Sequence, residues 1–563
     1  MNRFKFNILT AGILLFACTA CSESFLDTES KTESTTDNFY KTESDALRAL
    51  YGCYDGWKHI VSNGGVSFYL ASEIMSDECF GATGIADARN YQAIDRFDIS
   101  QSPADLNLFE TDWKSYYAAI YRCNSLIARE EQIAWSDPTV RGTYMGECRA
   151  LRAIFYFDMV RLWGNIPLFT EPINENLPQA NPDDVYAVIF DDLKYAAANI
   201  PANAYPKAQS ATNEGHITAY AAKALLARAY LYYTGYYGKE PVGITKAEVL
   251  QGLEDIISSN EYSLIPEFKN LWPASSTTWT QAADGSWSVS GPYIDAEGNT
   301  ISSCNAETIL AQRFNYTSNW SGVSDHNAFL VMIGIRTAAV MKPPYGQGWG
   351  SCTVNPKLLS AYATGDTRGT ASIIDLAGEG LDVATQQIDQ REYTGYTIKK
   401  YTPMSKYLDG AVTDAITGLG IGNMMISQYQ DFVVMRYADV LLMAAELGSA
   451  NAKTYLNDVR RRAYTTDGTV NAGFAEIEAT PTNIMNERML EFAFEAQRYW
   501  DLLRQGVDYA ANQIAGTTNV LSGGNADQVV ITADKMRATQ GLSQIPYNQI
   551  NLSGGVLKQN PGW

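Results

Sequence analysis

Apolar residues recur every three or four positions over most of this chain, which is the spacing that gathers them on one face of an α-helix. At 44–57, SDALRALYGCYDGW, Ser44 can cap a helix on which Leu47, Leu50 and Tyr54 share a face. Comparable patterns occupy further segments: 108–128, 146–164, 183–200, 213–233, 246–258, 436–448, 452–463 and 483–506. Long helices separated by short polar breaks predict a mainly α fold built from helical hairpins.

Small residues in the segment 213–233 allow its helix to approach neighbouring helices closely, because Ala219, Ala222 and Ala227 repeat along it. Close-packed hairpins of this kind resemble tetratricopeptide repeats, although the regular sequence period of such arrays is not visible. We therefore expect tetratricopeptide-like helical hairpins in a single domain, 44–563.

The segment 261–430 interrupts the helical pattern. Gly, Ser, Thr and Pro break every periodic run, and short alternations such as ETILAQRFNY at 307–316 predict strands or hairpins laid onto the helical frame. Irregular segments of this length in a compact protein are usually functional. We predict a ligand-binding insertion at approximately 261–430.

The first 20 residues have the pattern of an export signal. Arg3 and Lys5 precede an apolar run from Ile8 to Ala20, which is shorter than the about 20 residues that a membrane-spanning helix needs. Cleavage after Ala20 would make Cys21 the first mature residue.

A cysteine at that place predicts acylation, and three acyl chains would hold the protein to a membrane. We favour Cys21 because the polar mature sequence starts directly after it. The motif before Cys21 departs from the usual one, because Cys18 occupies the position where the lipidation motif usually has Leu. Cys18 is the alternative acceptor, since Leu15 stands three residues before it. Ordinary secretion, with both cysteines removed, is the other possibility. Residues 21–43, rich in Ser, Thr, Asp and Glu, are expected to form a tether.

The net charge of the chain argues against nucleic acid as a partner, and the cysteine spacing bears on disulfide formation. The 563 residues carry a formal net charge of −20, and such a surface repels nucleic acid. After the anchor, the cysteines are widely separated in sequence: Cys53, Cys79, Cys123, Cys148, Cys304 and Cys352. We expect mostly buried free thiols, although disulfide pairing cannot be deduced from the spacing.

Candidate catalytic chemistry is confined to one segment. Glu487, Glu491 and Glu495 fall four residues apart, so a helix would place them on one face, and paired carboxylates are what a glycosidase uses. The interpretation that we favour is an ion-pair network, because arginines interleave with them: Arg488, Arg498 and Arg504. The three histidines have no metal-like spacing, and we expect no cofactor and no metal.

Aromatic residues are the strongest binding signal. Five of the eleven tryptophans lie within 261–350: Trp272, Trp279, Trp287, Trp320 and Trp349. Sugar rings pack their C–H faces on aromatic rings and need polar groups for their hydroxyls, which favours aromatic residues among short polar side chains. We predict that Trp279, Trp287, Tyr316 and Trp320 bind ligand, and that the other two tryptophans belong to the framework.

Blocks along the whole chain resemble the SusD/RagB family of nutrient-binding outer-membrane lipoproteins. They include CSESFLDTES, GECRALRAIFYFDMVRLWGNIPLFTEPI, GHITAYAAKALLARAYLY, RYADVLLMAAE followed by LNDVRRRA, NERMLEFAFEAQRYWDLLRQG and the final IPYNQINLSGGVLKQNPGW. Gln549 departs from the family pattern, which usually has an acid there. The resemblance implies a SusD-like fold with four tetratricopeptide-like units, a binding role without catalysis, and a SusC-like TonB-dependent transporter as partner.

The resemblance also implies that an early loop, 81–92, contributes to the ligand face. There Asp87, Arg89, Asn90 and Tyr91 could supply hydrogen bonds and a stacking ring, although turn formation explains them equally well.

The expected function is therefore capture of an oligo- or polysaccharide at the cell surface, by a protein lipid-anchored in the outer membrane, and its delivery to the transporter. The same scaffold could instead bind a peptide or another nutrient. A secreted glycoside hydrolase and a pure assembly scaffold are the remaining alternatives.

Overall fold

The computed structural model describes residues 39–62, 65–205, 215–301, 304–337, 341–416 and 423–563. The expected signal peptide, Cys18, Cys21 and most of the expected tether lie outside these residues.

Twenty α-helices account for most of the regular structure in the described ranges. In chain order they are α1 (Glu43–Ser62), α2 (Phe68–Ile74), α3 (Asn90–Asp95), α4 (Glu110–Ile127), α5 (Pro138–Trp163), α6 (Pro182–Asn199), α7 (Ala219–Tyr237), α8 (Lys246–Ser258), α9 (Pro273–Ser276), α10 (Ala328–Ile333), α11 (Pro356–Leu359), α12 (Arg368–Ser372), α13 (Val383–Asp389), α14 (Tyr437–Glu446), α15 (Ala452–Ala463), α16 (Pro481–Phe492), α17 (Arg498–Leu503), α18 (Val507–Ile514), α19 (Ala533–Thr539) and α20 (Tyr547–Leu552). The mainly α fold that the hydrophobic pattern predicts is confirmed.

The described strands are short. In chain order they are β1 (Cys79–Phe80), β2 (Thr278–Gln281), β3 (Trp287–Ser290), β4 (Thr308–Gln312), β5 (Thr353–Val354), β6 (Ile373–Asp375), β7 (Tyr396–Ile398), β8 (Ser405–Leu408), β9 (Ala411–Asp414), β10 (Phe432–Arg436), β11 (Thr465–Thr466), β12 (Thr469–Val470), β13 (Gly516–Ser522) and β14 (Asn525–Ile531). They pair antiparallel, two by two: β1 with β5, β2 with β3, β4 with β10, β6 with β7, β8 with β9, β11 with β12 and β13 with β14.

Consecutive helices stack side by side. Each of α4 to α7 packs on the next, α8 continues onto α14 and then α15, and α1 lies against both α4 and α5. The sequence starts and stops these helices locally: at α5, the Asp137 side chain accepts a hydrogen bond from Thr139 N–H, Pro138 follows it, and Gly164 ends the helix at φ 68°. The expected helical hairpins are therefore present as a continuous stack.

The predicted single helix at 483–506 is wrong in its second half. Helix α16 ends at Phe492, and α17 begins only at Arg498, because Phe494 and Ala496 take positive φ angles of 65° and 54°. Two buried carboxyl groups accept hydrogen bonds from the amides released by this break, Glu73 from Ala496 at 2.6 Å and Glu78 from Phe494 at 3.3 Å. Tertiary hydrogen bonds thus replace the helical ones.

The segment 261–430 contains the expected short strands, but β4 is not a surface strand. Its five residues are all buried, and it pairs with β10, which lies beyond the predicted insertion. A second, smaller hydrophobic cluster, which includes Ile335, Tyr345 and Met404, supports the strands of this segment. Within the described residues no helix is both long and apolar enough to span a bilayer.

Candidate functional site

The hairpin of β2 and β3 carries Trp279 and Trp287. The hairpin of β8 and β9 carries Tyr407, whose ring contacts both of them. The Trp287 ring stacks on Tyr407 with centroids 3.8 Å apart and planes 10° apart. Trp279 meets the same tyrosine edge-on at 5.3 Å. Both tryptophans are half-buried. The sequence prediction missed Tyr407, whose only signal is its place in a short strand-like run.

Tyr316 and Trp320 lie on the loop that follows β4. Tyr316 is half-buried and meets Tyr429 edge-on at 5.4 Å. Trp320 has 70% of its surface exposed, in a turn where Asn319 Oδ1 accepts a hydrogen bond from Ser321 N–H. It is therefore the most open of the four aromatic residues that we predict to bind ligand.

The charge of Asp295 affects one residue in or beside each aromatic group: Tyr429, which contacts Tyr316, and Lys406, which precedes Tyr407. Burial raises the pKa of Tyr429, and the charge of Asp295 adds to the shift. Burial lowers the pKa of Lys406, next to Tyr407, and the same carboxylate opposes that shift. Asp295 thus acts on both Tyr429 and Lys406. We use the name aromatic face for six aromatic residues of the predicted insertion: Trp279, Trp287, Trp320, Tyr316, Tyr407 and Tyr429.

The turn at 295–299 supports this face. Asp295 Oδ1 accepts the amides of Glu297 and Asn299, and its Oδ2 accepts the Asn299 side chain at 2.8 Å. Asn299 in turn accepts a hydrogen bond from Lys406 Nζ at 2.6 Å. Gly298, at φ 79°, leaves room for Trp279, because a Cβ there would lie 2.8 Å from the indole. Both oxygens of Asp295 therefore hold the turn together.

The early loop has different neighbours. Asp87 Oδ2 accepts hydrogen bonds from Gly84 N–H at 2.8 Å and from Arg336 Nη1 at 3.2 Å. Arg89 is exposed, and Asn90 begins α3. Tyr91 is half-buried with its hydroxyl 3.7 Å from the sulfur of Met332, and burial raises its pKa to about 12. These contacts run to neighbours other than the aromatic face, so the membership of the early loop in one site stays a prediction.

A separate cavity of about 380 Å³ lies beside α4. Aromatic and polar side chains line it, among them Trp113, Tyr117, Tyr121, Phe169 and Asn174. Its size and lining suit a small ligand. It shares no residue with the aromatic face and is therefore an alternative location for binding.

Trp272 and Trp349, which we predict to belong to the framework, both pack in or against the hydrophobic core. Trp272 is buried, and Trp349 packs half-buried against the main core.

The candidate catalytic glutamates form a buried ion-pair network, as favoured from the sequence. They do not share one helix face, since Glu495 lies past the end of α16. Their partners also differ from the expected ones: Arg368 bonds Glu487 at 2.6 Å, and Arg436 bonds Glu491 at 2.5 Å and Glu495 at 2.8 Å. The interleaved arginines instead pair elsewhere: Arg488 with Asp439 and Asp501, Arg498 with Asp77, and Arg504 with Glu446 and Asp501.

This network removes the support for acid catalysis at Glu491. Burial alone would raise the pKa of Glu491, but the charges of Arg462, Arg436 and Arg368 lower it to about 2. A carboxyl group that stays ionised at neutral pH cannot protonate a leaving group. The three glutamates therefore stabilise the junction of the segments that carry their partners.

Comparison with known proteins fits the architecture of stacked helices with an irregular insertion. The family model described as the SusD family matches residues 377–563, and the one described as starch-binding associating with outer membrane matches residues 25–231. The chain belongs to the SusD/RagB family.

Individual relatives are distant but match over nearly their full length. SusD-like protein P25 of Formosa agariphila is 24% identical, over 89% of this chain and 90% of its own. Surface glycan-binding protein A from Bacteroides fluxus is 23% identical with a TM-score of 0.72, covering 93% of this chain and all of that one. The corresponding protein from Bacteroides thetaiotaomicron, in complex with laminarihexaose, is 22% identical with a TM-score of 0.69, covering 92% and 100%. At these identities the structural likeness establishes the fold.

Proposed function

We propose that this chain binds a glycan at the cell surface through its aromatic face. The observation that carries the proposal is Trp320, 70% exposed, on the same insertion as the stacked rings of Trp287 and Tyr407. An exposed indole offers flat apolar surface to the C–H faces of a sugar, and the exposed polar residues Asn319 and Ser288 stand next to Trp320 and Trp287 in the chain. The glycan-binding names of similar structures agree with this proposal.

The test is affinity electrophoresis of the soluble mature protein through gels that contain different polysaccharides, followed by calorimetry with laminarihexaose. We expect one polysaccharide to retard the wild type, and Trp320→Ala and Trp287→Ala to restore its mobility. Tyr509→Ala is the matched control, because Tyr509 is a partly exposed aromatic residue on α18 outside the face.

One result would overturn the proposed location of the site, and another would overturn the proposed class of ligand. If Tyr121→Ala abolishes retardation while the tryptophan variants bind normally, the ligand occupies the cavity beside α4. If no glycan binds and a peptide pool does, the scaffold serves a peptide nutrient instead.

We further propose that the protein is lipid-anchored through Cys21 to the outer membrane and hands its ligand to a SusC-like TonB-dependent transporter. The family membership and the outer-membrane association in the description of the second family model support this role. Ligand capture requires no bond breaking, and the ion-paired state of Glu491 agrees with a role without catalysis. Co-purification of a barrel partner with the membrane-bound protein would test it, and release of products from the bound polysaccharide would contradict it.

A further inference from the structure

Three cysteines from three helices meet in the core. Cys53 lies on α1, Cys123 on α4 and Cys148 on α5, which are the helices that pack together there. All three are free thiols with no exposed surface, and their sulfur atoms lie within 4.8 Å of one another. The sequence gives no sign of this cluster because the three positions have none of the short spacings of metal motifs.

The spacing fits the first coordination shell of a soft metal ion. A metal–sulfur bond of about 2.3 Å in a three-coordinate thiolate site places the sulfur atoms about 4 Å apart. The three sulfur atoms, all within 4.8 Å of one another, lie close to this spacing. Thiolate ligands select d¹⁰ cations such as Zn(II), Cd(II) and Cu(I) over hard cations such as Mg(II) and Ca(II).

Nearby arginines offset the negative charge that such a site would carry. The positive charges of Arg152 and Arg149 act on the sulfur of Cys148. Arg152 is held in place by Asp192 at 2.8 Å and by Asn124 at 2.8 Å. Arg152 is therefore held in a fixed position by its ion pair with Asp192.

We propose that Cys53, Cys123 and Cys148 form a trithiolate site that holds one thiophilic d¹⁰ cation at the junction of α1, α4 and α5, independent of the aromatic face. On binding, three S–H bonds break, three metal–sulfur bonds form, and three protons pass to solvent. Because all three thiols are buried, the cation enters while the helices assemble.

The test uses the whole mature chain, unfolded in urea with a reductant and refolded with Cd(II), which gives an ultraviolet charge-transfer band when thiolates bind it. We expect about one Cd(II) per wild-type chain, the charge-transfer band, and a higher midpoint of thermal unfolding. The variant in which all three cysteines are alanine should take up none.

The matched control changes Cys79 and Cys352, two other buried thiols, to alanine, and it should retain the ion. Circular dichroism checks that each variant folds. If the triple variant does not refold, Cys53→Ala alone, which leaves two thiols, replaces it in the metal-binding experiment. It should lose the band. Equal uptake by wild type and the cysteine variants, no uptake by the wild type, or a disulfide among the three in the purified protein would each overturn the proposal.

Discussion

At the scale of single residues, Tyr407 organises the aromatic face. One face of its ring is covered by Trp287, and its edge region meets Trp279. A tryptophan fixed in this way loses little side-chain freedom when a ligand packs on it, so the stacked tyrosine pre-organises the proposed binding surface.

Tyr407→Ala should therefore weaken glycan binding even if Tyr407 never touches the ligand. An aromatic pair contributes about 0.5–1.5 kcal/mol beyond its buried area, so we expect the dissociation constant to rise about twofold to tenfold. Calorimetry with the polysaccharide that retards the wild type measures this change. Tyr407→Phe keeps the ring and should bind as the wild type does; a large loss in that variant would assign the effect to the hydroxyl instead.

Glu73 makes stability depend on pH. Burial raises its pKa from the usual 4.5 to about 8, against the opposing effects of the Ala496 amide and the charge of Lys400. Below about pH 4.5 the carboxyl is protonated in both folded and unfolded chains. As the pH rises from there to 8, the unfolded chain loses the proton while the folded chain keeps it, so the stabilisation is lost over this window.

Glu73→Gln should remove this dependence, since the amide oxygen can still accept the Ala496 N–H. Between pH 5 and 7, the decrease in the free energy of unfolding should be smaller by about 1–3 kcal/mol in the variant than in the wild type. Urea titrations at the two pH values measure the difference. The exposed residue Glu131 provides the control, because Glu131→Gln should follow the wild type; an unchanged slope for Glu73→Gln would contradict the assignment.

At the scale of elements, α5 and α6 touch closely because a glycine faces the contact. A Cβ at Gly146 would lie 2.6 Å from Cγ1 of Ile200 and 3.4 Å from the Cα of Ala196. Contacts of this kind set the separation between the stacked helices, and hence the platform on which the insertion stands.

Gly146→Ala should destabilise the protein by about 1–3 kcal/mol, because overpacking at this contact exceeds the gain in helix propensity. Gly52→Ala is a matched control on α1, since a Cβ there meets nothing within 4 Å, and it should be neutral or stabilising. Urea denaturation of both variants measures the difference. Equal stability of the two would show that α6 can shift at no cost.

The helices were largely predictable because their apolar faces repeat with the helical period, as at α1 and α4. The break between α16 and α17 was not, because its cause is remote: Glu73 and Glu78 accept the freed amides from far away in the sequence. The ion-pair partners of Glu491 could not be predicted for the same reason, because Arg368 and Arg436 are remote from it in sequence. For the candidate site, composition pointed to Trp287 and Trp320, while Tyr407 and the meeting of three cysteines depend on tertiary packing that no local pattern encodes.

At the scale of the whole molecule, the proposed anchor sets where the binding face works. We predict that Cys21→Ser will release the protein from the membrane fraction, whereas Cys18→Ser will leave it bound, because one acylated cysteine carries the attachment. Fractionation of cells that express each variant, followed by immunoblotting, measures the distribution. Release by Cys18→Ser alone would move the acylated position to Cys18.

The pairing of β4 with β10 has a consequence for how binding preferences could diversify. Gln312 and Phe432 are direct neighbours across the pair, so the polypeptide departs from the helical frame and rejoins it at one place. A segment whose two ends meet can be lengthened, shortened or exchanged while its points of attachment stay where they are. Grafting the stretch between these strands from a relative would therefore exchange Tyr316, Trp320, Tyr407 and Tyr429 together, while Trp279 and Trp287, which precede β4, would stay in place.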